Sequence, residues 1–134
     1  MEGILSKRGI ENWVSSDASV GTEELAHMEV VSAILYQLTK NLPEDETSDM
    51  FAKLDCGIPE FKFPSYNTKE NVLMLLHEDM VAEQKAQSLY DTILSNVRDT
   101  DVRDPIRFLR AREIVHYQRL GEAIQIVQEK IEKE

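Results

Sequence analysis

Glu24-Leu-Ala-His27 and Glu113-Ile-Val-His116 repeat one pattern in distant parts of the chain. On a helix, residues three apart stand on one face about a turn from each other, so a Glu-x-x-His pair can reach a single centre. A carboxylate oxygen and a neutral imidazole nitrogen are both donors to a divalent transition metal. Two such pairs, joined by glutamate from another helix, form the donor set of a carboxylate-bridged dinuclear site in a four-helix bundle. Glu83 is the candidate for that further glutamate, so the candidate metal ligands are Glu24, His27, Glu83, Glu113 and His116. A single Glu-x-x-His is common in acidic helical proteins, and a lone histidine on an apolar face is more often a satisfied core residue. Two copies in phase with their helices favour the metal site.

That phase comes from the elements that must carry these residues. A period of 3.6 dominates, and no strand alternation competes with it. A first helix is expected from about Ile10 to Asn41, striped by Ile10, Trp13, Asp17, Val20, Glu24, His27, Val31, Ile34 and Leu38. Gly21 weakens it, and Thr22 is an alternative N-cap for a shorter helix. A second is expected from about Thr68 to Val97, striped by Val72, Leu76, Asp79, Glu83, Ala86, Tyr90, Ile93 and Val97. Asp104-Pro105 reads as a start signal, with Asp as cap and Pro at the first helical position. The third helix then runs to about Lys130 with Ile106, Leu109, Glu113, His116, Leu120, Ala123, Val127 and Ile131 on one face. Residues 43–67 are too many for a helical hairpin. They predict a long crossover strapped down by Phe51, Phe61, Phe63 and Tyr66.

All five candidate ligands therefore fall on stripes that should face the interior. An ionised carboxylate there costs several kcal/mol to desolvate unless it is paired, and a shared pair of cations removes that cost. Asp79 fits equally well as an acceptor behind a ligand and as a helix-surface residue. His77 is off the stripe. Tyr36, Tyr90 and Tyr117 read as core and rim, and Met28, Met74 and Met80 as packing residues. The charge run from Arg98 to Arg112 reads as a solvated turn and helix face, in which Arg107, Arg110 and Arg112 can pair with the acidic excess.

The chain has 134 residues, with 25 acidic and 15 basic side chains and a formal charge of −10. The hydrophobic share of 42% supplies a core, so a disordered chain is excluded and one domain over residues 1–134 is expected. The negative balance opposes binding to nucleic acid or to an anionic membrane surface. No stretch approaches the roughly 20 apolar residues of a membrane span, and Met1 to Ile10 lacks the apolar run of a signal peptide. The single cysteine, Cys56, cannot form an intramolecular disulfide and suits a reducing compartment. Cytoplasmic synthesis is the expectation.

Gly21-Thr-Glu-Glu-Leu-Ala-His-Met-Glu29 resembles the second-helix motif of manganese catalases, and more closely that of the catalase-like spore coat proteins of the CotJC type. Asp79-Met-Val-Ala-Glu-Gln-Lys-Ala86 resembles their third-helix motif, and Asp104-Pro-Ile-Arg-Phe-Leu-Arg-Ala-Arg-Glu-Ile-Val-His116 their fourth. The similarity runs from about residue 18 to 131, with the motifs in order and the crossover between the first two.

The resemblance implies an all-α, ferritin-like helical bundle holding two manganese ions. Glu24 would be a bridging carboxylate and His27 a terminal ligand, with Glu83 and His116 as ligands from the other helix pair. Glu113 corresponds to the carboxylate of the general di-metal plan. The implied reaction is disproportionation of hydrogen peroxide to oxygen and water. The family also has a helix before the first one here, with a further glutamate ligand. Only about nine residues precede Ile10, so the expectation is a bundle truncated to three long helices, with Glu2 and Glu11 as substitute ligands. Truncation would expose apolar surface that a homo-oligomer or other spore coat proteins would cover. A catalytically inactive coat or assembly component is the alternative, and a di-iron ferritin-like protein a further one, since this donor set also suits iron.

Overall fold

The computed structural model describes the backbone of residues 7–54 and 68–133, and the side chains of residues 19–50, 52–53 and 68–133. Among the described residues the chain forms α1 (Lys7–Thr39), α2 (Glu44–Leu54), α3 (Lys69–Asn96) and α4 (Thr100–Glu132), with no strand. The expectation of an all-helical bundle with three long helices holds. Phe61, Phe63, Tyr66 and Cys56 lie outside the described residues, as do the side chains of Glu2, Ile10, Glu11, Trp13, Asp17 and Phe51. None of the described helices is long and apolar enough to cross a membrane.

Local signals explain most of the boundaries. Thr68 caps α3 by accepting a hydrogen bond from Asn71 N at 3.2 Å, with Glu70 in the first turn, where the helix dipole favours negative charge. α1 runs unbroken through Gly21 and Thr22, so the shorter helix capped by Thr22 does not form.

One expectation gains detail and one changes. The crossover contains a short helix, because α2 occupies part of it. Glu44, Asp45 and Glu46 fill its first turn and Lys53 its last, a charge order that matches the helix dipole. The third long helix also starts five residues earlier than Asp104-Pro105 implies. Asp99 is its cap, accepting from Asp101 N at 2.9 Å. Pro105 stands inside α4 and forfeits one backbone hydrogen bond. Arg103 repays the early start: its Nη1 donates to Val97 O at 2.7 Å and to Leu94 O. A helical turn before Pro105 thereby closes the carboxyl end of α3.

Contacts across the helices set the topology. On α3 and α4, Asp91 meets Arg110, Gln84 meets Tyr117, and Met80 meets Gly121. Residue numbers rise on one helix as they fall on the other, so the pair is antiparallel. On α1 and α4, Ser19 meets Arg119, Glu23 meets His116 and His27 meets Glu113, which is antiparallel again. α1 and α3 therefore run the same way, and the chain between them must return along the bundle. That is why the crossover is long.

α3 and α4 share the largest interface, and α1 packs on α4. The apolar core lies between α3 and α4, built from Val72, Leu76, Leu120, Ala123, Ile124 and Val127, with Leu73, Met80 and Ile131 against it. Met80 packs as expected, but Met28 and Met74 are exposed. Leu38, at the end of the α1 stripe, is exposed too.

Candidate metal centre

About a turn from that core, the same helix faces change from apolar to charged. His116 is 0% exposed, Glu113 1%, His27 6% and Glu83 7%. Glu24 is half-buried beside them. The structure brings all five sequence candidates together. One donor atom each from Glu24, His27, Glu113 and His116 lies within 4.8 Å of the others. Glu83 Oε1 is 3.8 Å from His116 Nδ1.

The 3.6-residue period explains the convergence. Glu24 and His27 project from one face of α1, Glu113 and His116 from one face of α4, and Glu83 comes across from α3. Both histidines turn Nδ1 toward the carboxylates. His27 Nδ1 is 3.4 Å from Glu24 Oε1 and 3.3 Å from Glu113 Oε1. His116 Nδ1 is 2.8 Å from Glu24 Oε1 and 3.6 Å from Glu113 Oε2. The two rings stack with centroids 5.4 Å apart and planes 17° from parallel.

Proximity here is not hydrogen bonding. Glu24 Oε1, His27 Nδ1, both oxygens of Glu113 and His116 Nδ1 are buried, and none has a hydrogen bond of acceptable geometry. Unpaired buried polar atoms each cost on the order of 1–3 kcal/mol, and five in one cluster require a common cause. They converge on one shared space. Carboxylate oxygens and imidazole nitrogens are the donors that a divalent transition metal takes, so the residues present fit a metal. The electrostatics agree. Burial above all, and then the carboxylates of Glu113, Glu24 and Asp79, push the Glu83 carboxyl up to about 9. Without a cation the cluster keeps a proton at neutral pH.

Beside the cluster lies a cleft of about 290 Å³ bordered by Val20, Gly21, Glu24, Glu83, Ala86 and Glu113. A water takes about 30 Å³ of liquid volume, so the cleft admits small molecules. Tyr90 is half-buried near it. Burial first, and then the charges of Glu113, Glu24 and Glu83, raise its hydroxyl above the ordinary value. Asp79 is exposed at the rim, and His77 is exposed away from the cluster.

Sequence reasoning missed Glu23. It lies one residue off the stripe, rotated about 100° from Glu24, yet it touches the site from outside. Arg112 donates to it twice, from Nε to Oε2 at 2.9 Å and from Nη2 to Oε1 at 2.8 Å. Arg119 Nη1 reaches Oε1 at 3.3 Å, and Glu23 Oε2 lies 2.9 Å from His116 Nε2. The His116 bond foremost, with the Arg112 pair adding to it against burial, holds the Glu23 carboxyl down at about 2. Arg112 is therefore not solely part of a solvated helix face. The available signal was the 4-then-3 spacing of Arg112, His116 and Arg119 on one side of α4.

Comparison with known proteins converges on one family. The family described as manganese containing catalase matches residues 64–133, which hold α3, α4, Glu83, Glu113 and His116. Protein CotJC of Bacillus subtilis (strain 168) is 34% identical over 127 residues, covering 85% of this chain and 67% of that protein. No solved structure matches. The chain belongs to the manganese-containing catalase family.

Proposed function

We propose that this chain is a single ferritin-like domain that disproportionates hydrogen peroxide to oxygen and water at a carboxylate-bridged dinuclear manganese centre, as a component of the spore coat. The observation that carries the reading is the convergence of orphaned buried donor atoms from Glu24, His27, Glu113 and His116, with Glu83 against them. Family membership supports manganese as the metal, and the resemblance to the CotJC type supports the coat location. When bound, a manganese pair supplies two-electron redox chemistry that no side chain here offers.

The chain's own residues divide the remaining work. Glu24, Glu83 and Glu113 balance the metal charge, and His27 and His116 present Nδ1. Val20, Ala86 and Leu120 wall a cleft with ample room for a molecule as small as peroxide. Glu83, with its carboxyl near 9 before metal enters, holds the proton that binding must displace.

The direct test is metal content of the purified chain by elemental mass spectrometry, beside oxygen release from peroxide. Near two manganese per chain with oxygen release supports the reading. Little bound metal and no oxygen overturns it. His27→Ala and His116→Ala should each lower metal content and oxygen release together. Separate loading with iron and with manganese tells a di-iron relative apart, since the donors suit both.

One observation favours an assembly role as a second reading. Leu25, Met28, Tyr36, Leu89 and Phe108 are each more than half exposed, and Leu25 and Met28 stand a turn apart on one face of α1, where a partner could cover them. A scaffold would self-associate or bind coat proteins whether or not metal is present.

A further inference from the structure

His116 is the most enclosed donor of the cluster, and its two ring nitrogens face different surroundings. Nδ1 looks into the orphaned group, 2.8 Å from Glu24 Oε1 and 3.6 Å from Glu113 Oε2. Nε2 looks outward at Glu23 Oε2, 2.9 Å away. That oxygen already accepts from Arg112 Nε, and its companion oxygen accepts from Arg112 Nη2 and Arg119 Nη1. A carboxylate held by two guanidinium groups is an acceptor only. The hydrogen between Glu23 and His116 must then sit on Nε2, so that in the neutral ring Nδ1 is the lone-pair nitrogen facing the cluster.

We propose that Glu23, clamped by Arg112 and Arg119, is a positioning residue that fixes His116 as the Nε2–H tautomer and aims its Nδ1 at the metal centre. The assignment of a metal to this cluster is the reading proposed above, and the tautomer lock is the new element. A carboxylate behind a ligating histidine sets ring orientation and raises ligand basicity, and its loss weakens metal binding by roughly 10–100-fold. Here the lock is built from three charged side chains on two helices. α1 supplies Glu23 and α4 supplies Arg112, Arg119 and His116 itself. The α1–α4 packing thus presets the donor before any metal arrives. Arg119 also reaches Ser19 Oγ at 3.4 Å, tying the clamp to the preceding turn of α1.

The test uses the full chain labelled with nitrogen-15 in histidine. Long-range nitrogen–proton correlation of the metal-free protein, at a pH well above the ordinary imidazole value of about 6.5, identifies the tautomer. His116 is expected as Nε2–H, and a dominant Nδ1–H form overturns the proposal without any variant. Glu23→Ala removes the acceptor. It should mix the tautomers and raise the dissociation constant for manganese(II) alone roughly 10–100-fold. Glu23→Gln offers an amide that can donate as well as accept, so it should mix the tautomers too, with a smaller loss of affinity. This variant carries the comparison should the alanine variant not fold. Wild-type tautomer and affinity in both variants overturn the lock. The two readings fail separately. An Nε2–H His116 that loses its preference on substitution, in a chain that binds no manganese, keeps the lock and sinks the metal site.

Discussion

The α3–α4 interface changes character along one continuous stripe on each helix. Toward one end Val72, Leu76, Leu120, Ala123, Ile124 and Val127 exclude water and pack on one another. Midway along, before α4 turns apolar again at Leu109 and Ile106, Glu83, Glu113 and His116 occupy equivalent inward positions, and Glu113 and His116 leave polar atoms without hydrogen bonds. Helix geometry and burial hardly change between the two stretches. What changes is the sign of the contribution to folding: the apolar end drives the pair together, and the charged stretch opposes it until something neutralises it. A protein keeps such a stretch when its cost is recovered on binding.

The largest expected effect tests the apolar end. Leu76 is 1% exposed and Leu120 3%. Leu76→Ala or Leu120→Ala should destabilise the metal-free chain by about 2–5 kcal/mol, through lost transfer energy and the cavity left behind. Urea denaturation measures it. A loss well under 1 kcal/mol would show that the division of labour along the stripe is wrong.

The next tests the charged stretch and predicts the opposite sign. Glu113→Leu replaces a 1%-exposed carboxylate with an apolar side chain of similar size. Exchanging buried charge for packed apolar groups is often neutral or stabilising by about 1–4 kcal/mol. The metal-free chain should therefore hold or gain stability while manganese retention collapses. Denaturation midpoints read beside metal content check both halves. A variant that loses stability and keeps its metal would place Glu113 in the core rather than the site.

This contrast also explains what the sequence made legible. Glu24, His27, Glu83, Glu113 and His116 were readable because each interrupts an apolar stripe at helical spacing, and burial follows from spacing alone. Glu23 was not, because its partners Arg112, His116 and Arg119 lie about ninety residues away on another helix, and only the α1–α4 register joins them. α2 carried its signal in Glu44, Asp45, Glu46 and Lys53, but 11 residues make only about three turns, and Pro43 before them made the whole stretch read as a connection. The start of α4 was misplaced because Asp99 and Asp104 are equally good caps by residue type. Only the Arg103 contacts with Leu94 and Val97 decide between them.

A third prediction sharpens the comparison through pH. Glu83, at about 9, binds a proton in the folded metal-free chain that the unfolded chain, near 4.5, has released. Across that window the native state holds more protons, so this group's contribution makes stability fall as pH rises. Glu23 has the opposite sign. Its folded value near 2 lies below 4.5, so its stabilisation is present above 4.5 and is lost as pH falls toward 2. Thermal midpoints of the metal-free chain should decline from about pH 5 toward pH 9. Glu83→Gln should flatten that decline, and manganese(II) should abolish it, because a bound cation takes the place of the proton. A midpoint that rises over this range in the metal-free wild type would contradict the buried, protonated Glu83.

The smallest effect asks whether the helices can be strengthened without touching the chemistry of either stretch. Gly121 lies inside α4 between Leu120 and Glu122, and a Cβ built there would meet only Met80 Cε, at 3.8 Å. That is ordinary van der Waals contact, and the methionine is flexible. Glycine in a helix interior costs about 1 kcal/mol relative to alanine, largely through the entropy of the unfolded chain. Gly121→Ala should therefore raise stability by about 0.5–1 kcal/mol and leave manganese content unchanged. Gly21, whose added Cβ meets nothing within 4 Å, borders the cleft. Gly21→Ala should bring a similar gain in stability while narrowing the approach to the cluster. Equal stabilisation with slower peroxide turnover only in Gly21→Ala would place the route to the site along that side of α1. Equal turnover in both would remove the cleft from the path.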